Sequence, residues 1–89
     1  MKQSYSLVTG ASSGIGLEIS KYLAKRGNNI ILTARRESII SKISKKIRDD
    51  YDVKTDYICS DLSDSDGPKK IFKFCKTKKY YVNTIINNA

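Results

Sequence analysis

Four short apolar runs alternate with three stretches of helical periodicity, and this alternation constrains the fold of the 89-residue chain more than any other feature. Residues 5–9 read as a strand that stops at Gly10. Residues 30–34 form a continuous, mostly β-branched run, the pattern of a strand buried on both faces. Residues 53–59 read as a third strand, although Lys54 and Asp56 interrupt it, and residues 82–86 as a fourth. Between the first two, Ile15, Ile19, Tyr22 and Leu23 fall at helical spacing, and Gly27 and Asn28 end that helix. Ile39, Ile43 and Ile47 lie four apart, with Ile40 widening the stripe, and mark a second helix whose other face carries Lys42, Lys45, Lys46 and Arg48. Asp64-Ser65-Asp66-Gly67-Pro68 is a helix start, and Ile71, Phe72 and Cys75 give the third helix its apolar face. Strands that alternate with helices predict a parallel sheet with right-handed crossovers and helices on both faces, an α/β unit occupying residues 1–89 as one domain.

Composition removes several functions. The sequence contains no histidine, which excludes His-based acid–base chemistry, Ser-His-Asp triads and His-ligated metal sites, and no metal site is expected. The formal charge of +8 and the lysines at Lys69, Lys70, Lys73, Lys76, Lys78 and Lys79 raise nucleic acid as a partner. No helix-turn-helix, zinc or stacking-aromatic motif accompanies them, so they read as solvated helix faces and nucleic acid is not expected. No apolar run approaches the ~20 residues of a membrane span, and no lipidation motif is visible, so no membrane partner is expected either. Lys2 is followed by Gln3, Ser4 and Ser6 rather than by a secretory apolar stretch. Cys59 and Cys75 are too few for a disulfide framework and read as reduced thiols, the usage of a cytoplasmic protein.

The segment between the first strand and the first helix is Thr9-Gly10-Ala11-Ser12-Ser13-Gly14-Ile15-Gly16. A phosphate needs N–H donors, close approach and a positive potential, and a helix N-terminus offers all three. Gly10 allows the strand to turn sharply, Gly14 lets a diphosphate approach the main chain, and Gly16 permits tight helix packing. The spacing is G-x-x-x-G-x-G, not G-x-G-x-x-G, and no Gly-Lys-Ser/Thr follows, which disfavours a Walker-type loop.

This octapeptide resembles the cofactor-binding motif of the short-chain dehydrogenase/reductase family. Asp61-Leu62, after the third strand, resembles the family's adenine-contacting Asp, and Asn87-Asn88-Ala89 resembles its Asn-Asn-Ala-Gly motif. The resemblance implies a Rossmann-type sheet in the order 3-2-1-4, the truncated half of a doubly wound fold, and a nicotinamide dinucleotide as ligand. It also implies cofactor contacts at Gly10, Ser12, Ser13, Gly14, Ile15, Gly16, Asp61, Leu62, Asn87 and Asn88.

NAD-preferring members carry an acid at the end of the second strand, where it would repel a 2′-phosphate. The corresponding residue here is Ala34, followed by Arg35 and Arg36, and a guanidinium clamps a phosphate with two parallel charge-assisted bonds. By resemblance to NADP-preferring members, Arg35 is the expected 2′-phosphate ligand with Arg36 in support, and NADP(H) is expected over NAD.

Family chemistry is hydride transfer between the nicotinamide and a carbonyl or alcohol carbon, with a Tyr-x-x-x-Lys pair as acid–base. Tyr22 is followed four residues on by Arg26 and Tyr51 by Thr55, so neither supplies that pair and no catalytic residue is assigned. The resemblance therefore implies a cofactor-binding portion with weak binding and no turnover by itself, whether a fragment, a truncated product or part of a split protein. A non-catalytic nucleotide-binding or regulatory module is the competing reading, and the apolar fourth strand, as a sheet edge, suggests self-association.

Overall fold

The expected alternation is realised as β1 (Ser4–Thr9), α1 (Gly14–Lys25), β2 (Asn29–Ala34), α2 (Glu37–Tyr51), β3 (Thr55–Cys59), α3 (Gly67–Lys78) and β4 (Tyr81–Ile86). The structure is a computed structural model and describes residues 4–12, 14–61 and 65–88. All strand pairs are parallel and the order is β3-β2-β1-β4, the implied 3-2-1-4 arrangement of a Rossmann-type α/β sheet.

β2 shows why its sequence lacks polar alternation. Successive side chains in a strand point to opposite faces. Ile30 and Leu32 pack with Val8, Ala24, Ile40 and Ile47 beneath α1 and α2, while Ile31 packs with Tyr5, Leu7, Ile58 and Ile71 beneath α3. With helices on both faces, each of these three β2 side chains is fully buried and contributes about 1.5–3 kcal/mol.

Several sequence expectations shift. β3 starts at Thr55, not at residue 53, because Asp52 caps α2 in a left-handed conformation (φ 54°) and turns the chain. Val53 then plugs the core beside α2, and the first ladder pair is Ile30 with Thr55. In α2 the buried positions are Ile40, Ser44 and Ile47, so the stripe is rotated and Ile39 is exposed.

α1 departs furthest. Its sheet-facing residues are the small Gly16, Ser20 and Ala24, and the Ser20 hydroxyl donates to the Gly16 carbonyl at 2.8 Å. Ile15 is 70% exposed and Tyr22 is also exposed, with the Arg26 guanidinium 5.6 Å from its ring centre. In α3, Ile71 is buried and Cys75 half-buried as expected, but Phe72 is 70% exposed. Phe74 takes the inner position, its ring edge-on to Tyr80 at 6.1 Å.

β4 contains a bulge. Tyr5 pairs with Val82 but Ser6 pairs with Thr84, so Asn83 is the extra residue. A bulge shifts the phase of side-chain alternation by one residue. Val82 and Ile85, opposite Tyr5 and Leu7, consequently share the α3 face.

At the foot of the sheet Asp56 ties β3 to α3 and to the link that leads into β4. Its carboxylate accepts from the Tyr80 hydroxyl at 2.5 Å and from the Tyr57 N–H at 2.8 Å, and Lys78 lies 4.0 Å away. Burial, then the Asp56 hydrogen bond and charge, raise the Tyr80 phenol. Burial and the same charge raise Tyr5 and Cys75. These groups are held protonated in the folded chain, so their contribution is complete below the unfolded thiol and phenol values of about 8.5 and 10 and declines as pH rises beyond them. The thermal midpoint should fall progressively above about pH 9, and Tyr80→Phe should flatten part of that decline. A midpoint constant between pH 8 and 11, read by circular dichroism, would contradict this assignment.

Candidate functional site

In a parallel sheet all strand C-termini lie at one end, and ligands of open α/β sheets bind there, at the point where strand order reverses. Here the reversal lies at β1, flanked by β2 on one side and β4 on the other, and the glycine turn follows β1. The Ala11 N–H donates to the Thr33 carbonyl at 3.1 Å, which fastens the turn to β2, and the Ala11 side chain is buried.

The three glycines have different tasks. Gly10 has φ +60°, and a Cβ there would collide with the Asn88 carbonyl oxygen. Gly16 is held against the same neighbours: a Cβ would collide with the Gly10 carbonyl oxygen and lie 2.7 Å from the Asn88 side-chain nitrogen. Gly16 thus packs on the turn itself and on the end of β4, a more specific partner than the sheet in general. Gly14 has φ +59° and nothing within 4 Å of its Cβ position, so its open side faces outward at the first residue of α1.

An α-helix leaves its first four N–H groups without intrahelical partners. The first turn of α1 carries no acidic side chain to repel an anion. Ile15 is exposed beside Gly14, and Ser12 is half-buried in the turn. Ser13 and Leu62, both expected cofactor contacts, lie outside the described residues. These features fit a dinucleotide diphosphate: an open glycine, an uncrowded approach and a helix N-terminus without counter-charge.

Arg35 and Arg36 follow buried Ala34 and are both exposed. The Cys59 thiol donates to the Arg35 carbonyl at 2.9 Å, and the Ser60 N–H to the Ala34 carbonyl at 2.9 Å, so the loop is pinned to β3 while the guanidinium remains outside. The Arg36 carbonyl accepts from Ile40 as the first bond of α2. Asp61 is exposed just after β3, at the same end of the sheet.

The motif at the end of β4 meets the turn through a residue that sequence reading did not single out. The Thr9 hydroxyl accepts from the Asn88 N–H at 2.8 Å and donates to the Asn87 side-chain oxygen at 3.1 Å. The Asn88 side chain adds a longer bond, 3.4 Å, to the Gly10 carbonyl. A threonine at a strand end carries no local signal for such a role, because its partners lie 78 and 79 residues away. Thr9→Val removes an acceptor from a partly buried N–H and should cost about 1–3 kcal/mol, a loss that Thr9→Ser should recover. Equal denaturation midpoints for Thr9→Val and the parent would show that the hydroxyl holds nothing.

The family model for short chain dehydrogenases matches residues 5–89. The chain belongs to the short-chain dehydrogenase family. It is 36% identical over 87 residues to a very-long-chain 3-oxoacyl-CoA reductase of the yeast Vanderwaltozyma polyspora, covering 96% of this chain and 24% of that protein. It is 44% identical over 59 residues to the human inactive hydroxysteroid dehydrogenase-like protein 1, covering 66% of this chain and 18% of that protein. Among solved structures it superposes on L-sorbose reductase from Gluconobacter frateurii, complexed with NADPH and L-sorbose, with a TM-score of 0.92, 25% identity and 99% of this chain covered. A short-chain dehydrogenase from Sphingobium yanoikuyae in complex with NADPH gives a TM-score of 0.73 at 29% identity over 76% of this chain. This short-chain dehydrogenase chain spans 34% and 27% of those two structures, about a third or less of their lengths. No helix among its described residues is long and apolar enough to cross a membrane.

Proposed function

We propose that this chain is the NADP(H)-holding portion of a dehydrogenase that moves hydride between a nicotinamide and a carbonyl or alcohol carbon. The observation that carries the cofactor choice is the end of β2: a buried Ala34 where an acid would repel a 2′-phosphate, then two exposed arginines. In this reading the open side of Gly14 and the first turn of α1 receive the diphosphate, Arg35 grips the 2′-phosphate and Asp61 meets the adenine. Thr9 acts at one remove, by fixing Asn87 and Asn88 against the turn. The nicotinamide, when bound, supplies the hydride. NADPH-bound relatives with the same fold support the cofactor class. Saturating NADPH should raise the thermal midpoint of the chain, and more than NADH does at equal concentration. Equal shifts for the two nucleotides would remove the preference, and no shift with either would remove the site.

A second reading, a nucleotide-binding module without chemistry of its own, is favoured by the likeness to the inactive human relative. Binding of NADPH without oxidation, across aldehyde, ketone and 3-oxoacyl substrates, supports this second reading, and turnover excludes it.

A further inference from the structure

Three consecutive carbonyls close the end of β2, and each is held by a different partner. The Thr33 carbonyl accepts from the Ala11 N–H of the glycine turn at 3.1 Å, and the Ala34 carbonyl accepts from the Ser60 N–H at 2.9 Å. The Arg35 carbonyl accepts from the Cys59 thiol at 2.9 Å. The glycine turn and the arginine are therefore mounted on the same short piece of main chain, with only Ala34 between their anchors. We propose that the end of β3 is a positioning element for cofactor choice: the Cys59 thiol and the Ser60 N–H fix the span between the diphosphate cradle and the Arg35 guanidinium. This role rests on the NADP(H) reading of Arg35.

The chemistry of the ligand explains why the span matters. A dinucleotide presents its diphosphate and its 2′-phosphate at a limited range of separations, because the adenosine ribose joins them covalently. A guanidinium grips a phosphate with two parallel bonds only when it arrives at the right place and angle. Arg35 is a long, exposed side chain at the bend between β2 and α2. If that bend were loose, binding would have to order the main chain as well as the side chain, at a cost in affinity. The two bonds from β3 remove the main-chain part of that cost before the nucleotide arrives.

The residues are placed for this task. Cys59 pairs with Ala34 in the ladder, so its thiol stands beside the first carbonyl past the strand. Ser60 is buried, and its hydroxyl donates to the Gly67 carbonyl at 3.3 Å, which braces the end of β3 against the start of α3. A contribution to stability alone explains less of the arrangement. A thiol is a weak donor, and its bond to Arg35 lies at an exposed end of the sheet where water would satisfy the carbonyl.

The test titrates NADPH and NADH against a set of variants and follows each thermal midpoint. Cys59→Ala should weaken NADPH about three- to tenfold, leave NADH unchanged and move the midpoint little. Cys59→Ser keeps a donor and should restore the parent ratio of the two affinities. Ser44→Ala, which cuts a bond between α2 and the Thr55 hydroxyl away from the site, should lower the midpoint and leave that ratio alone. On an Arg35→Ala background, Cys59→Ala should add no further loss, because the thiol acts through the arginine. In the parent chain without nucleotide, the infrared S–H band that Cys59→Ser removes should lie at lower frequency than that of a thiol free in water. If Arg35→Ala weakens both nucleotides alike, the NADP(H) reading falls and this role falls with it. If Arg35→Ala loses NADPH selectively but Cys59→Ala binds it as the parent does, this role alone is overturned. Equal loss of both nucleotides in Cys59→Ala, or an S–H band at the free-thiol frequency, overturns it too.

Discussion

Gly16→Ala should lower the thermal midpoint by roughly 10–20 °C, a large loss for a single methyl group. The added carbon would collide with the Gly10 carbonyl oxygen and lie 2.7 Å from the Asn88 side-chain nitrogen. The Gly10 oxygen is backbone and cannot swing aside, so the N-terminus of α1 must lift from the turn. Overpacking of this kind costs about 1–3 kcal/mol, and the bond between Asn88 and Gly10 is lost with it. Gly14→Ala is the informative comparison. It meets no neighbour within 4 Å, so its cost is only the left-handed strain of about 1–2 kcal/mol. Yet its methyl group would occupy the open side on which the diphosphate is proposed to lie. Gly16→Ala should therefore unfold first, while Gly14→Ala should remain folded and lose NADPH. If calorimetry gave the two variants equal midpoints, the division of labour among the glycines would be wrong.

The second large effect concerns affinity. Arg35→Ala should weaken NADPH by roughly ten- to a hundred-fold, the equivalent of the 1.5–3 kcal/mol typical of hydrogen bonds to a charged group. NADH lacks the 2′-phosphate and should be affected little. The fold should tolerate the change, because the Arg35 side chain is exposed and the loop is held through its carbonyl by Cys59. Fluorescence titration of both nucleotides against both proteins reads the difference directly. An equal loss for NADH would place Arg35 at the shared part of the nucleotide, and no loss for either would make it a solvated loop charge.

The parts of this architecture that were legible in the sequence are those encoded locally. The run Ile30-Ile31-Leu32 announces a strand covered on both faces because it is apolar throughout, and the stripe of Ile39, Ile43 and Ile47, widened by Ile40, announces a helix by its period, although the core takes Ile40 and Ile47 and leaves Ile39 exposed. The glycine turn was legible for the same reason, since its three glycines and its neighbours are contiguous. What was not legible depends on distant partners. α1 reads as though Ile15, Ile19 and Tyr22 face the core, but close approach to β1 and β2 selects the face of Gly16, Ser20 and Ala24. Small residues leave no hydrophobic signature even when they are the ones buried. Asp52 and Lys79 both end helices in the left-handed conformation that glycine usually supplies, so neither terminus carries the customary mark. The extra residue at Asn83 and the double role of the Thr9 hydroxyl appear only once β4 lies beside β1.

The clasp of Asn88 on Gly10 and Gly16 also has a temporal consequence. The turn lies between Gly10 and Gly16, but the Asn88 atoms that hold its shape follow Gly10 by 78 residues. On a ribosome, β1, α1 and β2 can emerge and begin to associate long before β4 has cleared the exit tunnel. The glycine turn is thus set only after β4 has emerged, and a nascent chain can gain α1 and α2 well before the proposed nucleotide site takes its shape.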